Sequence, residues 1–438
     1  MALDRASPAD LMTLASDGGA APMNISAALV LEDASGLGAD DLAALLLPRL
    51  AAVPRLRRRL VRTPPGCGRA VWVDDPQFSL ARHLAQEQVA GGGREELLRA
   101  QADAVCRRLP RDRPPWSARL VTGLDGGRAG VVIVLHHVLA DGLGGLAALG
   151  ALADGGAGSA AAGGQPFPVA PPTARELAAD AWRARASAVR HPRAVVARSA
   201  GGLRELGVGG RVPRLVARTS LNRPTGPHRR LTVLDAARAD LTGAAHRHGC
   251  TVNDLLLAAV SGALERALAR RGERVPALVL SVPVAGRRAD GPHDLGNRSG
   301  VRPVLVPTGL APHERLELLA RGSAGWRHRP RGQSSAALAA GFRALAALHL
   351  LPLVLDHQRL VHTFVTNVPG PPAHLALGGR RVAEVLPAAV TPGNVGVSFD
   401  LLSYADAMVV TVVADPRLLP DQDRLTADLG EGLAALLA

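Results

Sequence analysis

Lysine is absent from this chain of 438 residues, so all 51 basic residues are arginine. That absence excludes the phosphate-binding loop ending in Gly-Lys-Ser/Thr, whose lysine reaches the phosphates. Aromatic residues make up only 2% of the chain, so leucine, valine and alanine must fill the cores. The three cysteines, Cys67, Cys106 and Cys250, are far apart and odd in number, which fits neither a metal pattern nor a disulfide framework. No Gly-x-Ser-x-Gly elbow occurs, so a serine acyl-enzyme has no support. The apolar stretch ALAALHLLPLVL (344–355) is too short for a bilayer and holds a proline. The opening MALDRASPADLMTL carries acids early and no apolar signal core. These absences lead us to expect a cytoplasmic protein, with at most peripheral contact to a membrane. The net charge of +13 attracts anions. Its arginines are spread out, with no compact basic run interleaved with aromatics, so nucleic acid is not an expected partner.

What is present is an apolar fraction of 47%, enough for substantial cores, in a length that suits two domains. Residues 25–32, 69–75, 117–124 and 128–137 read as strands, and 39–52, 94–109 and 143–154 as helices. The turn DGG (125–127) joins two of those strands. GGAGSAAAGGQPFPVAPP (155–172) is low-complexity and turn-rich, a linker, and 173–191 is an arginine-rich connecting helix interrupted by Pro192. A second α/β region follows, with strands at 230–235, 277–285 and 362–370, a hairpin around 405–407, and helices at 251–272 and 424–438. The expected organisation is an α/β chain. Its parts are an N-terminal domain (1–154), a linker and connecting helix (155–228) and a C-terminal domain (229–438), with a mixed sheet and flanking helices in each domain.

The segment VVIVLHHVLADGLGG (131–145) places His136 and His137 at the end of an apolar strand, with Asp141 and Gly142 just beyond. One reading is structural: neighbours on a strand face opposite ways, and one ring can simply pack inward. Adjacent strand residues cannot chelate one ion, and no further ligand lies at the right spacing, so no metal is expected. Gly142, Gly144 and Ala147 mimic a dinucleotide fingerprint, but the linker stands where its acidic residue belongs. The remaining reading is chemical. A neutral imidazole is a natural base for a hydroxyl or amine near neutral pH, and a strand holds it rigidly. Asp141 can orient the ring or anchor the loop, and Gly142 lets the chain bend into the helix.

As a unit, H-H-x-x-x-D-G resembles the motif of the CoA-dependent acyltransferase superfamily. The rest of the chain narrows the resemblance to the bacterial wax ester synthase/diacylglycerol acyltransferase family. RPPWSARLV (113–121) resembles its P-L-W segment, with Pro115 for Leu. TVNDLLLAAVSGAL resembles its N-D motif at Asn253 and Asp254, VPVAGRR (282–288) its P-V-S-x-R stretch, and LGNRSG (295–300) its following G-N. TNVPGPP (366–372) and the SY at 403–404 match late motifs, and Pro22-Met23-Asn24 stands where P-M-H is usual, as Ala285 does for Ser.

That resemblance implies two chloramphenicol-acetyltransferase-like domains forming a pseudo-dimer around a central tunnel. It implies His137 as general base, with His136 shaping the strand end, and Asp141 structural, paired with Arg287. Asn253, Asp254, Asn297 and Asn367 are candidate substrate-binding or supporting residues, although Asn253 and Asp254 can equally cap a helix. The implied co-substrate is acyl-CoA, without a further cofactor, and the implied acceptor is diacylglycerol or a long-chain alcohol, met by peripheral contact with a membrane or lipid-droplet surface. Two alternatives stay open: an acyltransferase that takes carrier-protein or natural-product substrates, and a non-catalytic member that binds lipid.

Overall fold

A computed structural model describes residues 3–90, 92–156, 166–206, 215–285, 295–297, 299–325 and 334–438. In chain order its strands are β1 (Asn24–Leu31), β2 (Arg58–Val61), β3 (Val71–Asp74), β4 (Leu84–Gln88), β5 (Trp116–Leu124), β6 (Arg128–His136), β7 (Arg230–Ala237), β8 (Ala277–Ala285), β9 (Ser299–Pro307), β10 (Thr363–Pro369), β11 (Ala376–Leu377), β12 (Arg380–Ala389), β13 (Val397–Tyr404) and β14 (Ala407–Ala414). They form two mixed sheets, β11-β12-β1-β6-β5-β4 and β7-β14-β13-β10-β8-β9, and a small ribbon of β2 and β3.

β6 shows why the first sheet forms. Beyond Arg128 every residue of the strand is buried, as expected of a central strand covered on both faces. Val131, Ile133 and Leu135 join one core, and Val132 and Val134 join another. The helix Arg94–Val105 covers the second face and packs on β1, β5 and β6. Gly130 makes that approach possible, because a Cβ there would stand 2.3 Å from Leu97 Cδ1. The pleat assigns the two rings at the strand end: His136 continues the Val132–Val134 face, and His137 continues the Leu135 face.

The second sheet rests on the helix Val252–Arg270, which packs beside Gln422–Leu437. Leu255, Leu256, Leu264, Phe399, Leu425, Leu429 and Leu436 are all 2% exposed or less in one shared core.

Several expected boundaries move for identifiable reasons. The helix expected at 39–52 is α-helical only over Ala39–Leu46. It tightens into a 3₁₀ turn over Leu47–Ala52, where Pro48 has no N–H for an α-helical bond. The helix expected at 94–109 ends at Val105. Pro192 interrupts one helix, Ala174–Arg190, and opens another, Pro192–Glu205, at the first position, where its missing N–H is no loss. Part of the 155–172 linker lies outside the described residues.

The division at residue 228 needs one correction. β11 and β12 come from the C-terminal half, yet they pair into the first sheet, β12 antiparallel to β1 from Ile25–Ala389 to Leu31–Val382. A strand exchanged in this way makes the two halves one structure. Tyr404, the last residue of β13, fastens the exchange. Its hydroxyl donates to Val382 O at 2.8 Å and accepts from Leu375 N at 2.7 Å, in a buried position.

Tyr404→Phe leaves Leu375 N without its partner and takes one donor from Val382 O, which keeps His374 Nδ1 at 3.2 Å. The expected loss of stability is about 1–3 kcal/mol, read as a lower midpoint in urea at unchanged slope. An unmoved midpoint would mean the hydroxyl does not hold the exchanged segment.

Candidate active site

β6 runs out at His136, and the chain turns at once. His136 N donates to Pro115 O at 2.9 Å, His137 N donates to Met23 O at 2.8 Å, and Leu139 N closes back on His136 O at 2.8 Å. The two rings then meet different surroundings.

His136 is buried. Its Nδ1 accepts from Val138 N at 3.0 Å, which leaves the ring proton on Nε2. That atom lies 3.3 Å from Asp17 Oδ2. Asp17 also accepts from Met23 N at 2.8 Å and from Arg111 Nη2 at 2.5 Å. Burial by itself raises the Asp17 carboxyl. The ring, the Met23 N–H and Arg111 outweigh burial and hold it down at about 2. His136 therefore ties β6 to the segment that enters β1.

His137 is half-exposed and lines a cavity. Its Nδ1 lies 3.0 Å from Asn297 Oδ1. The Asn297 amide can be oriented without seeing hydrogens. Its Nδ2 is 2.7 Å from Asp10 Oδ1 and 2.6 Å from the His137 carbonyl oxygen, two groups that only accept. The Asn297 carbonyl must then face the ring, so the ring must donate from Nδ1. Nε2 is left as the basic nitrogen.

Asp10 is held in turn. Ser7 N donates to its Oδ2 at 2.8 Å, and Asp10 N donates to Ser7 Oγ at 3.0 Å, a capping box that starts the helix Pro8–Ser16. Asn297 N adds a bond to Asp10 Oδ1 at 3.1 Å. Asp10 is fully buried. Burial raises its carboxyl, against the nearby Arg55 charge and these hydrogen bonds. Arg55 donates to Leu139 O at 3.3 Å and pairs with Asp4 at 2.8 Å, which braces the loop after the histidines.

The described contacts of Asp141 are with the loop and not with the ring. Asp141 caps the helix Gly142–Leu152, accepting from Gly144 N at 3.0 Å, and accepts from Ser299 Oγ at 2.7 Å. Its carboxylate thus anchors the loop to the start of β9. Arg287, its expected partner, lies outside the described residues. The next turn is packed against backbone and side chain alike. A Cβ on Gly142 would approach Val368 Cγ2 to 2.9 Å, and one on Gly144 would approach Leu295 O to 2.7 Å.

The cavity holds about 150 Å³ and lies between the two sheets. Ile25, Leu135, Leu146, Val368, Val385 and Leu401 give it an apolar wall, and His137, Asp141 and Gly142 stand in it. The positive end of the helix Gly142–Leu152 reaches the same wall. Among the described residues no group of three or more His, Cys, Asp or Glu is arranged to hold a metal ion.

The other candidates are dispersed. Asp254 closes a capping box with Thr251 and accepts from Ser323 Oγ at 3.0 Å, buried in the C-terminal core beside the half-buried Asn253. Neither is among the residues that line the cavity. Asn367 sits between two cavity-lining residues, Thr366 and Val368, so strand alternation turns it the other way. Sequence reasoning missed Asp10, Asp17 and Ser299. The Ser7-x-x-Asp10 spacing was the available signal for the first. Ser299 had none, because its contact is 158 positions away in sequence.

Comparison with known proteins follows this geometry. The sequence profile of the wax ester synthase/diacylglycerol acyltransferase catalytic domain matches residues 6–256, and that of the WS/DGAT C-terminal domain matches residues 295–437. A probable diacylglycerol O-acyltransferase of Mycobacterium tuberculosis (strain H37Rv) is 31% identical over 411 residues, covering 90% of this chain and 87% of the relative. Among solved structures, the wax ester synthase/diacylglycerol acyltransferase from Marinobacter aquaeolei VT8 superposes with a TM-score of 0.66 at 20% identity, covering 99% of this chain and 98% of the other. The first condensation domain of the CDA synthetase gives 0.62 at 21% identity, over 100% and 97%. These two likenesses establish the fold.

The Asp17 contacts set an acid limit. Its carboxyl titrates lower folded than unfolded, so its contribution is fully present above pH ~4 and is lost as pH falls towards 2. Asp17→Asn is expected to lower stability at pH 7 and to flatten its loss between pH 4 and 2, measured by thermal melting across that range. Parallel curves for the two proteins would remove Asp17 as the cause.

Proposed function

The chain belongs to the wax ester synthase/diacylglycerol acyltransferase family. From that membership we propose that it is an O-acyltransferase which moves a fatty acyl group from acyl-CoA to the hydroxyl of diacylglycerol or a long-chain alcohol. The observation that carries the reading is the single basic nitrogen of His137, held by Asn297 in the wall of an apolar cavity.

Nε2 of His137 takes the proton of the acceptor hydroxyl as its oxygen forms a bond to the thioester carbonyl carbon. The carbonyl becomes a tetrahedral oxyanion, for which the N-terminal end of the helix Gly142–Leu152 supplies positive potential. The carbon–sulfur bond then breaks, the ester leaves, and the proton on Nε2 passes to the CoA thiolate. No bond to the enzyme forms. When the ring is protonated, its Nδ1–H keeps the bond to Asn297 Oδ1, so the imidazolium is met by a carbonyl it already faces. Acyl-CoA is a co-substrate in this scheme, and no further cofactor takes part.

The acceptors are membrane lipids, and no helix among the described residues is long and apolar enough to cross a membrane. Reversible contact fits the helices after the linker. Arg175, Arg183, Arg185 and Arg190 are exposed on Ala174–Arg190, together with Trp182 at 68% and Val189 at 79% exposure. Arginines near an anionic surface contribute about 1 kcal/mol each. Trp182 and Val189 offer apolar contact beside them.

Two outcomes test the reading. His137→Ala is expected to lose the general-base contribution, about 10²–10⁴-fold in kcat, in ester formation from labelled palmitoyl-CoA with dipalmitoylglycerol or hexadecanol. His136→Ala and Asn297→Ala should lose less, and Asn297→Ala should also shift the pH–rate profile. Full activity of a folded His137→Ala protein would remove the base. Binding to anionic liposomes should weaken steeply with salt and with glutamine at the four arginines. Salt-insensitive binding would point to an apolar anchor instead.

A further inference from the structure

Asp400 is an acid in the middle of an apolar strand. β13 reads VSFDLLSY and is buried at every position. Asp400 nevertheless lines the cavity that holds His137, together with Thr366 across the β10–β13 pairing. Its Oδ2 accepts from Ala389 N of β12 at 2.7 Å, and the Thr366 side chain also bonds the carboxyl. A carboxyl accepts at about four lone-pair sites, and donates as well when protonated. These two bonds leave it capacity to meet a further group in the cavity.

Such a group is costly to place in an apolar wall unless something polar meets it. The structure assigns Asp400 and Thr366 to a polar subsite that binds a carbonyl or hydroxyl oxygen carried by the lipid substrate, away from the reacting atoms. This rests on the acyltransferase reading above and extends it to substrate choice. The placement favours the acceptor as the source. Val368 stands against Gly142 at the catalytic loop, and Thr366 lies two residues along the same face of β10. That is a step of about 7 Å at strand spacing. In diacylglycerol the neighbouring ester carbonyl is joined to the reacting hydroxyl by a short bonded path of similar reach. A plain long-chain alcohol has no oxygen there. An oxygenated acyl chain carries the same chemistry on the donor side.

Below about pH 7 the carboxyl is also in a form that can donate. Burial pushes Asp400 up to about 7, against the bonds from Ala389 N and Thr366. Its strand neighbours are uncharged: Thr366 on β10, Ala389 on β12 and Thr411 on β14. Among the described residues, His137 and Asp141 are the other titratable groups lining the cavity. His137 serves every acceptor alike, so its titration cancels in a ratio of two acceptors measured with one enzyme.

The test is the ratio of kcat/KM for dipalmitoylglycerol over hexadecanol, with palmitoyl-CoA as donor. A second ratio compares 3-hydroxypalmitoyl-CoA with palmitoyl-CoA on hexadecanol. Asp400→Leu is expected to lower the first ratio about tenfold or more, because a site built to hydrogen-bond an oxygen discriminates through it. Thr366→Val, which keeps shape and disturbs folding least, should lower it in the same direction. Asp400→Asn keeps a donor and an acceptor and should hold the ratio within about threefold. The wild-type ratio should fall as pH rises through about 7 and the Asp400→Asn ratio should not. A fall confined to the second ratio would keep the subsite and assign it to the acyl chain. Both ratios unmoved in folded, active Asp400→Leu and Thr366→Val proteins would overturn the subsite alone. Wild-type protein inactive on both acceptors would overturn the acyltransferase reading and this inference with it.

Discussion

The amide of Asn297 has two hydrogens, and both are spoken for. One goes to the Asp10 carboxylate and the other to the His137 carbonyl. What is left, a carbonyl oxygen aimed at the ring, decides which nitrogen of His137 is basic. Three distant parts of the chain meet in this one group: the first helix through Asp10, the end of β6 through His137, and the approach to β9 through Asn297. The base is thus set by a contact between the two halves of the molecule. Serine-hydrolase triads use a carboxylate for the same task. Here a neutral amide faces the ring, and the carboxyl of Asp10 stands one step further back, its pKa raised by burial against the pull of its neighbours.

Adjacency of the histidines divides their work. On a strand, successive side chains face opposite ways. His136 goes into the protein against Asp17 and fastens the strand end. His137 goes to the cavity. The same pleat explains Thr366, Asn367 and Val368 on β10, where the outer two meet the cavity and the middle one does not.

The sequence made local chemistry legible and left distant chemistry hidden. The β6 strand, the histidine pair, the turn at Asp141 and the capping box at Thr251 were all readable, because each depends on residues a few positions apart. Asn297 was named from its motif, but its action was not readable, since it works across 160 positions on His137 and 287 on Asp10. Asp141 shows the limit from the other side. Its place in the motif suggested an arginine partner, Arg287, which lies outside the described residues, and gave no hint of the Ser299 contact and the helix cap that the structure adds. The return of β12 to the first sheet was equally hidden, because strand exchange leaves no mark in local periodicity. Asp400, an acid inside an apolar strand, was not singled out from the sequence, because only the cavity gives it meaning.

The tautomer of His137 is the point on which the rest of the chemistry turns. Long-range proton–nitrogen correlation on protein labelled with nitrogen-15 in its histidines reads it directly, at a pH where the ring is neutral. The wild-type ring should carry its proton on Nδ1 and leave Nε2 bare, and Asn297→Ala should mix the two forms. A wild-type ring protonated on Nε2 would contradict the base assignment and the mechanism built on it.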